Sequence, residues 1–402
     1  SEHINILPFK QRDSRDEKCK NTMNKANPSA TQQQDRITNL DYVRGFATLG
    51  ILGMNAMMFG LPKPAYNNLD SQGTDSVLDW ILGIFGEIFI DQKTMAIFSM
   101  LFGAGIVLFA DRAEAKGKKP FRLTLWRNFL LIVIGVLHTM TWEGDVLVIY
   151  GVCAPVIYLL RKRSSKFLYS IGTILFGLTV LNGILTQSLV NDGSAPLGDF
   201  WYASNPMSDE VAFWFLLDGV CRALGAMLIG VGLYRSGFIS GTKEKSHYQR
   251  LLRRCFAFGF PLTIFGILIQ VAGDYDSDVA IIGQVPNTIA TIPIAIGYVA
   301  IITLLNMRPD NRFKARIRSV GQMALTNYIT QTIIGITVFA TLFEKSEMSR
   351  TGVWLFIVCV WAVQILWSKA WLTRFRFGPI EWMWRCATYR SRQPLLRSTS
   401  KN

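Results

Sequence analysis

The sequence predicts an all-α fold, a polytopic membrane helix bundle of about ten transmembrane helices with further interfacial helices. Apolar runs long enough to cross a hydrocarbon core of roughly 30 Å recur along the chain, and basic residues gather in alternate loops between them. Only 17% of the 402 residues are charged, against about 25% in soluble domains. We therefore interpret the chain as a multi-pass membrane protein.

Ten apolar runs come close to the roughly 17–25 residues that one helical crossing needs, although the fourth run is short. They cover residues 43–61, 94–110, 123–142, 146–160, 167–189, 211–234, 255–272, 279–305, 320–343 and 351–372. The segment 77–92 is too short and too acidic to cross, so we expect an interfacial or re-entrant helix there. Residues 377–385 combine an early proline with Trp and Arg, a pattern typical of an interfacial helix on the cytoplasmic side.

The basic residues fall mainly on one side of these spans. If the N-terminus is inside, the outside loops contain only Lys63, Lys93, Lys345 and Arg350 as basic residues, and they are rich in Asp and Glu. The positive-inside rule then places both termini in the cytoplasm and the chain in a bacterial inner membrane. The net charge of +14 follows from this topology. We therefore expect membrane lipids as partners, and no nucleic acid.

The chain divides into three parts. Residues 1–35 are polar and predict a disordered cytoplasmic tail, residues 36–390 form a single transmembrane domain without an internal linker, and residues 391–402 form a cytoplasmic C-terminal tail. None of the six cysteines falls in an outside loop, and there is no His/Cys cluster. The sequence therefore predicts neither a disulfide framework nor a metal site.

Polar side chains inside the spans are costly in a bilayer and are candidates for function. Asp41 and Arg44 lie three residues apart at the inner end of the first span, and Asn55 lies on roughly the same stripe nearer the outer face. They are candidates for substrate binding, or else an ion pair that ends the helix and an amide that bonds a neighbouring helix. Asp218 and Arg222 are four residues apart in the sixth span, where Arg222 either binds substrate or forms a structural ion pair.

The ninth span carries a short polar stretch. Asn327 and Gln331 are four residues apart, with Tyr328 between them in sequence. All three are candidates for substrate binding. The alternative is that the amides hold helices together, a contribution of about a kcal/mol each.

His138 is the one histidine that falls in a predicted span. It lies toward the outer end of the third span, and an imidazole near carboxylates can act as a general base near neutral pH. The alternative is a structural histidine bonded to a neighbouring helix. The candidates for catalysis are His138, Asp145 and Asp91, and the candidates for substrate binding at the same depth are Lys93, Ser99 and Trp142.

Several phrases of the sequence together resemble the YeiB-like family of bacterial inner-membrane proteins, a domain of unknown function. The phrases begin at Arg36, Phe98, Gly135, Gly232, Met323 and Gly378. They follow one another in consistent order over nearly all of residues 36–390. The resemblance therefore implies a family and a membrane fold.

The first span is also distantly similar to that of the heparan-α-glucosaminide N-acetyltransferase family, in which an Asp, an Arg-Gly and a later Asn recur. Asp41, Arg44, Gly45 and Asn55 match this pattern. Those enzymes move an acyl group from cytoplasmic acyl-CoA to an acceptor across the membrane, using a histidine that follows the first span. Residues 56–93 contain no histidine, so His138 is the candidate to take that role.

Two functions follow from these observations. The first is a transmembrane acyltransferase that takes its acyl group from acyl-CoA and modifies an envelope glycan, a lipid or a small molecule. His138 would be the base, oriented by Asp145 or Asp91, and Arg44 would attract the phosphates of the donor. The alternative is a non-catalytic carrier for an anionic or amphipathic solute, with Arg222, Asp218 and Asn327 forming its site. The absence of an evident internal repeat favours the first.

Overall fold

A computed structural model describes residues 37–203, 205–343 and 347–397 of the chain. Apart from one isolated bridge between Phe375 and Leu396, the regular structure of these residues is helical, as predicted. The predicted N-terminal tail lies outside the described residues. The helices are α1 Thr38–Gly60, α2 Pro64–Asn67, α3 Val77–Phe89, α4 Lys93–Ala115, α5 Pro120–Thr139, α6 Leu147–Leu160, α7 Ser165–Asn191, α8 Gly198–Tyr202, α9 Asp209–Arg235, α10 Lys245–Ala272, α11 Ser277–Ala280, α12 Gln284–Asn306, α13 Arg312–Gln322, α14 Ala324–Thr341, α15 Arg350–Arg374 and α16 Pro379–Tyr389.

A long helix occupies each of the ten predicted spans, but not all of them meet the length and apolarity of a membrane crossing. Among the described residues, seven helical units do so, or eight if the bent pair α13 and α14 counts as one span. The two others are α1, which carries Asp41, Arg44 and Asn55, and α6, whose 14 residues rise only about 21 Å. The protein is a polytopic membrane helix bundle.

The segment 77–92 forms a helix of its own, α3, which ends before α4 begins at Lys93. Helices α3 and α4 follow each other closely enough to form one apolar unit of 39 residues, Val77–Ala115. The short polar sequence between them is accommodated at Gln92, whose φ of 61° interrupts the helix without ending the unit. The predicted boundary between residues 92 and 94 agrees with this break to within a few residues.

The ninth predicted span also begins later than expected. Helices α13 and α14 meet at Met323 and are bent by 82°, so residues 320–322 belong to the amphipathic α13. Close packing against α1 explains the bend, because a Cβ on Gly321 would lie 1.9 Å from the carbonyl oxygen of Asp41. The carboxylate of Glu381 caps the new helix start by accepting the N–H groups of Leu325 and Thr326 at 2.8 and 3.1 Å.

The core is built around α1, which packs against α4, α12, α13, α14 and α15. In several other helix pairs a glycine allows the two backbones to approach closely. In one of them, a Cβ on Gly230 of α9 would lie 2.2 Å from the carbonyl oxygen of Met100 in α4. Small residues at such contacts let helix backbones approach within a membrane.

The described part of the predicted C-terminal tail is folded back onto the end of α15. The N–H of Arg376 donates to the carbonyl of Leu395, and the N–H of Arg397 donates to that of Arg374. The helix ends near Thr38, Ala115, Arg235 and Lys245 form what we name the basic end of the bundle. The opposite end, with the loops 61–76, 140–146 and 273–276, is named the acidic end.

Candidate functional site

His138 and Asp145 are in direct contact near the acidic end. His138 lies in the last turn of α5 and is 6% exposed, and Asp145 lies in the short loop before α6. Nδ1 of the imidazole lies 2.8 Å from Oδ1 of the carboxylate. The other oxygen, Oδ2, accepts the N–H groups of Leu147 and Val148 at 2.9 and 3.3 Å. The start of α6 therefore holds the carboxylate in place, and the carboxylate orients the imidazole.

The second nitrogen of His138 differs from the first in its contacts. Nε2 is buried and has no hydrogen-bond partner among the described residues. If Nδ1 carries the proton and donates it to Asp145, Nε2 holds the lone pair that a general base needs. A structural histidine of the same burial would be expected to have both nitrogens bonded.

Aromatic side chains surround this pair. The hydroxyl of Tyr328, on α14, donates to Oδ1 of Asp145 at 3.3 Å, and the Tyr328 and Trp142 rings meet the imidazole edge-on at 5.3 and 5.9 Å. Tyr328 also stacks on Phe98 of α4 at 6.5 Å. Next to Phe98, Ser99 is buried and shares a 2.6 Å hydrogen bond with Tyr150. Trp142, from the loop before α6, and Tyr328 of α14 thus contact the His138 pair, and Ser99 of α4 is bonded to Tyr150 of α6.

Two adjoining cavities enter the bundle from the basic end, each of about 170 Å³. The first, named the basic mouth, is lined by Asp41, Arg44, Arg112, Lys116, Lys118, Arg127, Arg385 and Tyr389 among others. The second, named the apolar chamber, is lined mainly by Phe98, Phe102, Phe109, Leu131, Leu147, Leu325 and Trp384. Arg44, Arg127 and Arg385 line both cavities. The pair forms an amphipathic space with its cationic part at the basic end.

The lining of the basic mouth contains six Lys and Arg side chains and one carboxylate, that of Asp41. Arg44 lies 3.4 Å from Asp41, as the spacing of these residues predicted. Arg127 lies between aromatic rings, 4.3 Å from that of Phe109 and 4.2 Å from that of Trp384. Burial, and to a lesser extent the neighbouring Lys116, lower the pKa of Lys118. This is the electrostatic environment in which an anionic ligand is favoured.

The apolar chamber ends close to the His138 pair without reaching it. Phe98 and Leu147 line the chamber, while Tyr328, which stacks on Phe98, contacts both the imidazole ring and Asp145. His138 itself does not line the chamber. One aromatic layer, formed by Phe98 and Tyr328, therefore separates His138 from the chamber.

Sequence reasoning missed much of the basic mouth. Lys116 and Lys118 follow α4, and Arg385 and Tyr389 belong to α16, which lies against α5 through a hydrogen bond from Trp384 to the carbonyl of Arg127. The Pro-started, Trp-rich pattern predicted an interfacial helix there. This pattern did not predict which helix ends α16 contacts.

Asp91 and Lys93 do not join His138 in one outer pocket, which corrects the expectation that all these groups form a single site. Asp91 accepts from the Tyr66 hydroxyl at 2.9 Å, and Lys93, fully buried, donates to the carbonyl of Glu87 at 2.6 Å and to Asn287. Burial and the Asp91 carboxylate hold the pKa of Tyr66 well above its usual value. Among the described residues no hydrogen bond or ion pair joins this cluster to His138. Asp91 and Lys93 are bonded instead to residues of α2, α3 and α12.

The predicted ion pair in the sixth span is present. Nε of Arg222 donates to Asp218, and Nη2 donates to the hydroxyl of Thr288 at 2.6 Å. Nη1 of Arg222 and Oδ1 of Asp218 remain buried without partners in the described part of the chain. The pair links α9 to α12.

The amides of the ninth span act within a helix contact. Asn327 donates to Ser368 at 3.0 Å and accepts from the indole of Trp367 at 2.8 Å, and Gln331 donates to the carbonyl of Thr48 and to Gln364. This network joins α14, α15 and α1 and fits the interhelical interpretation of the two amides. Asn55 is half-buried near the end of α1 and lines neither the mouth nor the chamber.

Comparisons with known proteins give a consistent family. Residues 233–391 match the family described as "Protein of unknown function (DUF418)". The chain is 33% identical to the uncharacterized protein YeiB of Escherichia coli over 393 residues, covering 91% of this chain and all of that protein. It is 28% identical to the uncharacterized protein YxaH of Bacillus subtilis, over 92% of this chain and 98% of that one. An uncharacterized 39.9 kDa protein of Bacillus acidopullulyticus is 26% identical over 90% of this chain and 96% of its own.

Proposed function

This chain belongs to the YeiB-like family of membrane proteins, and we propose that it acts as a transmembrane acyltransferase. In this proposal the acyl donor is a cytoplasmic acyl-CoA, and the acceptor is an envelope component or a small molecule with a free hydroxyl or amine. The observation that carries the proposal is the amphipathic space between the basic end and the His138 pair.

The orientation follows from charge. The basic end carries the ends of α4, α9 and α15 with their Lys and Arg residues. The positive-inside rule favours the cytoplasm for such an end. We therefore propose that both termini are cytoplasmic and that the chain lies in a bacterial inner membrane. The basic mouth then opens toward the compartment that contains acyl-CoA.

The donor set of the two cavities suits an acyl-CoA in its chemistry. Guanidinium groups of Arg44, Arg127 and Arg385 can bind phosphate oxygens through charge-assisted hydrogen bonds, and the ring of Tyr389 lies in the same mouth. The apolar chamber beyond them suits a thioester-linked acyl group. An inorganic anion would occupy only the basic mouth and would make no use of the apolar chamber.

His138 supplies the proton transfer in this proposal. Nε2 accepts the proton of the acceptor hydroxyl or amine as that oxygen or nitrogen attacks the acyl carbon. The carbon–sulfur bond then breaks, and the proton passes from His138 to the departing CoA thiolate, so that ester or amide and free thiol are the products. Asp145 stabilises the charged imidazole and keeps its orientation. The reaction requires that the Phe98–Tyr328 layer admits the thioester.

The test uses membranes that contain the full chain, supplied with acetyl-CoA and an envelope extract as acceptor source, and measures release of the CoA thiol. Wild-type membranes should release thiol above membranes without the protein. His138→Ala should reduce this excess by about 10²-fold or more, with acetyl-CoA binding unchanged. His138→Gln should not restore it, because an amide does not exchange a proton near neutral pH.

The carrier hypothesis predicts the opposite effect of the substitution His138→Gln. A carrier for anionic amphipathic solutes needs the basic mouth but no proton exchange at Nε2, so His138→Gln would keep its activity. Absence of any thiol release by the wild type, together with retained acetyl-CoA binding, would contradict acyl transfer and favour the carrier. Lys166→Gln is the matched control, since Lys166 is an exposed basic residue of the same end that lines neither cavity.

A further inference from the structure

A third cavity lies near the acidic end, under the loop 61–76. It has a volume of about 40 Å³ and is lined by α1, α2, α3, α12 and the start of α15, with Tyr66, Asn67, Glu87, Asp91, Gln284 and Arg350 as its polar members. It shares no lining residue with the basic mouth or the apolar chamber. Its chemistry can therefore be considered apart from acyl transfer.

Arg350 is a buried guanidinium on one wall of this cavity. The residue is 2% exposed, and its Nη2 donates to the carbonyl of Ala65 at 2.8 Å. Its Nε has no partner among the described residues, and no described carboxylate lies within ion-pair distance. Asp79, in the first turn of α3, is already used by Ser76 and by the N–H and hydroxyl of Thr351. A buried Arg without an anionic partner is costly.

Glu87 is the complementary group on the same cavity. It is half-buried in α3, and in the described part of the chain its carboxylate takes part in no hydrogen bond or ion pair. Lys93 bonds the backbone carbonyl of Glu87, not its carboxylate. Asp91, which also lines the cavity, is by contrast bonded to Tyr66 and Asn287. The cavity thus contains one carboxylate and one guanidinium that attract each other but are not joined to each other by a hydrogen bond or an ion pair.

We propose that this cavity binds a small zwitterion with a primary amine and a carboxylate, of the size of a small amino acid. The carboxylate of the ligand lies against Arg350, for which a guanidinium provides planar, charge-assisted hydrogen bonds, and the amine lies against Glu87. A ligand of this kind contacts both charged groups directly at the same time, which neither an anion nor a cation alone does. The small volume of the cavity selects compact molecules.

The test measures binding of glycine and of both enantiomers of alanine and serine to the purified full chain in detergent. Ethylamine and acetate serve as probes that carry only one of the two charges. At least one zwitterion should bind and raise the melting temperature, with both single-charge probes at least tenfold weaker. Glu87→Gln should weaken the zwitterion by at least tenfold. Glu143→Gln is the control. It removes an exposed carboxylate of the acidic end that forms an ion pair with Lys63 and lies outside the cavity, and it should leave zwitterion binding unchanged.

Three outcomes would overturn this proposal. They are no binding of any zwitterion by the wild type, binding of acetate or ethylamine as tight as that of the best zwitterion, and equal affinity in Glu87→Gln and the wild type. Arg350→Lys is informative only if the variant folds, so Glu87→Gln is the deciding substitution. Thiol release from acetyl-CoA plays no part in this test, which therefore succeeds or fails independently of acyl transfer.

Discussion

At the scale of single residues, the sequence led to His138 because a histidine in an apolar span is rare and carboxylates follow it closely. The contact with Asp145 is local, seven residues away, and could be predicted. The contact between Tyr328 and Asp145 spans 183 residues, and it depends on which helices are neighbours and how each is rotated. For the same reason, equal depth along the spans could not show that Asp91 belongs to another cluster.

The two carboxylates can be separated by substitution. We expect Asp145→Asn to reduce thiol release from acetyl-CoA by roughly 10²-fold or more, because the imidazole loses its orienting charge, and to change the pH dependence of the remaining rate. Asp91→Asn should leave both the rate and its pH dependence close to those of the wild type. A large loss in Asp91→Asn with little change in Asp145→Asn would show that the site has been assigned to the wrong carboxylate.

At the scale of elements, the apolar runs predicted where the helices are and the break near Gln92, but not the bend in the ninth span. Met323 separates α13 from α14 by a bend of 82°. This position carries no proline or another obvious breaking signal. The bend at Met323 comes from a tertiary contact, the packing of Gly321 on the backbone of α1, and periodicity within one segment does not report such contacts.

Close helix packing gives a stability prediction within one helix. In α9, a Cβ on Gly230 would lie 2.2 Å from the Met100 carbonyl oxygen, whereas one on Gly219 would lie 3.8 Å from the nearest atom of Ile149. Gly230→Ala should therefore cost about 1–3 kcal/mol of stability through overpacking, seen as a lower melting temperature in detergent. Gly219→Ala should change it little or raise it slightly. Equal melting temperatures for the two variants would contradict this packing.

At the scale of the whole molecule, the distribution of charged residues along the sequence was the most informative feature. Alternation of basic and acidic loops predicted two different ends, and the bundle has them. The two adjoining cavities that lead from the basic end toward His138 were not predictable, because their walls come from α1, α4, α5, α6, α13, α14 and α16 together. A sequence without known contacts between these helices does not reveal the space that they enclose.

Orientation in the membrane is tested by single cysteines in a background without native cysteines. Exposed positions Ser194 and Asp276 of the acidic end should react in intact spheroplasts with a thiol reagent that does not cross membranes. Ala115 and Thr242, exposed at the basic end, should react only after the membrane is opened. A reversed pattern would place the basic mouth outside the cell and remove the access to acyl-CoA that the proposed function requires.

The most direct test of the proposed function is a cryo-electron microscopy structure of the full chain with a non-hydrolysable acyl-CoA analogue. The phosphates should lie within hydrogen-bond distance of Arg44, Arg127 or Arg385. The acyl group should occupy the apolar chamber, with the Phe98–Tyr328 layer displaced so that the carbonyl carbon faces Nε2 of His138. A chamber filled by a phospholipid in the presence of saturating analogue, or an analogue bound elsewhere, would contradict acyl transfer from this cavity.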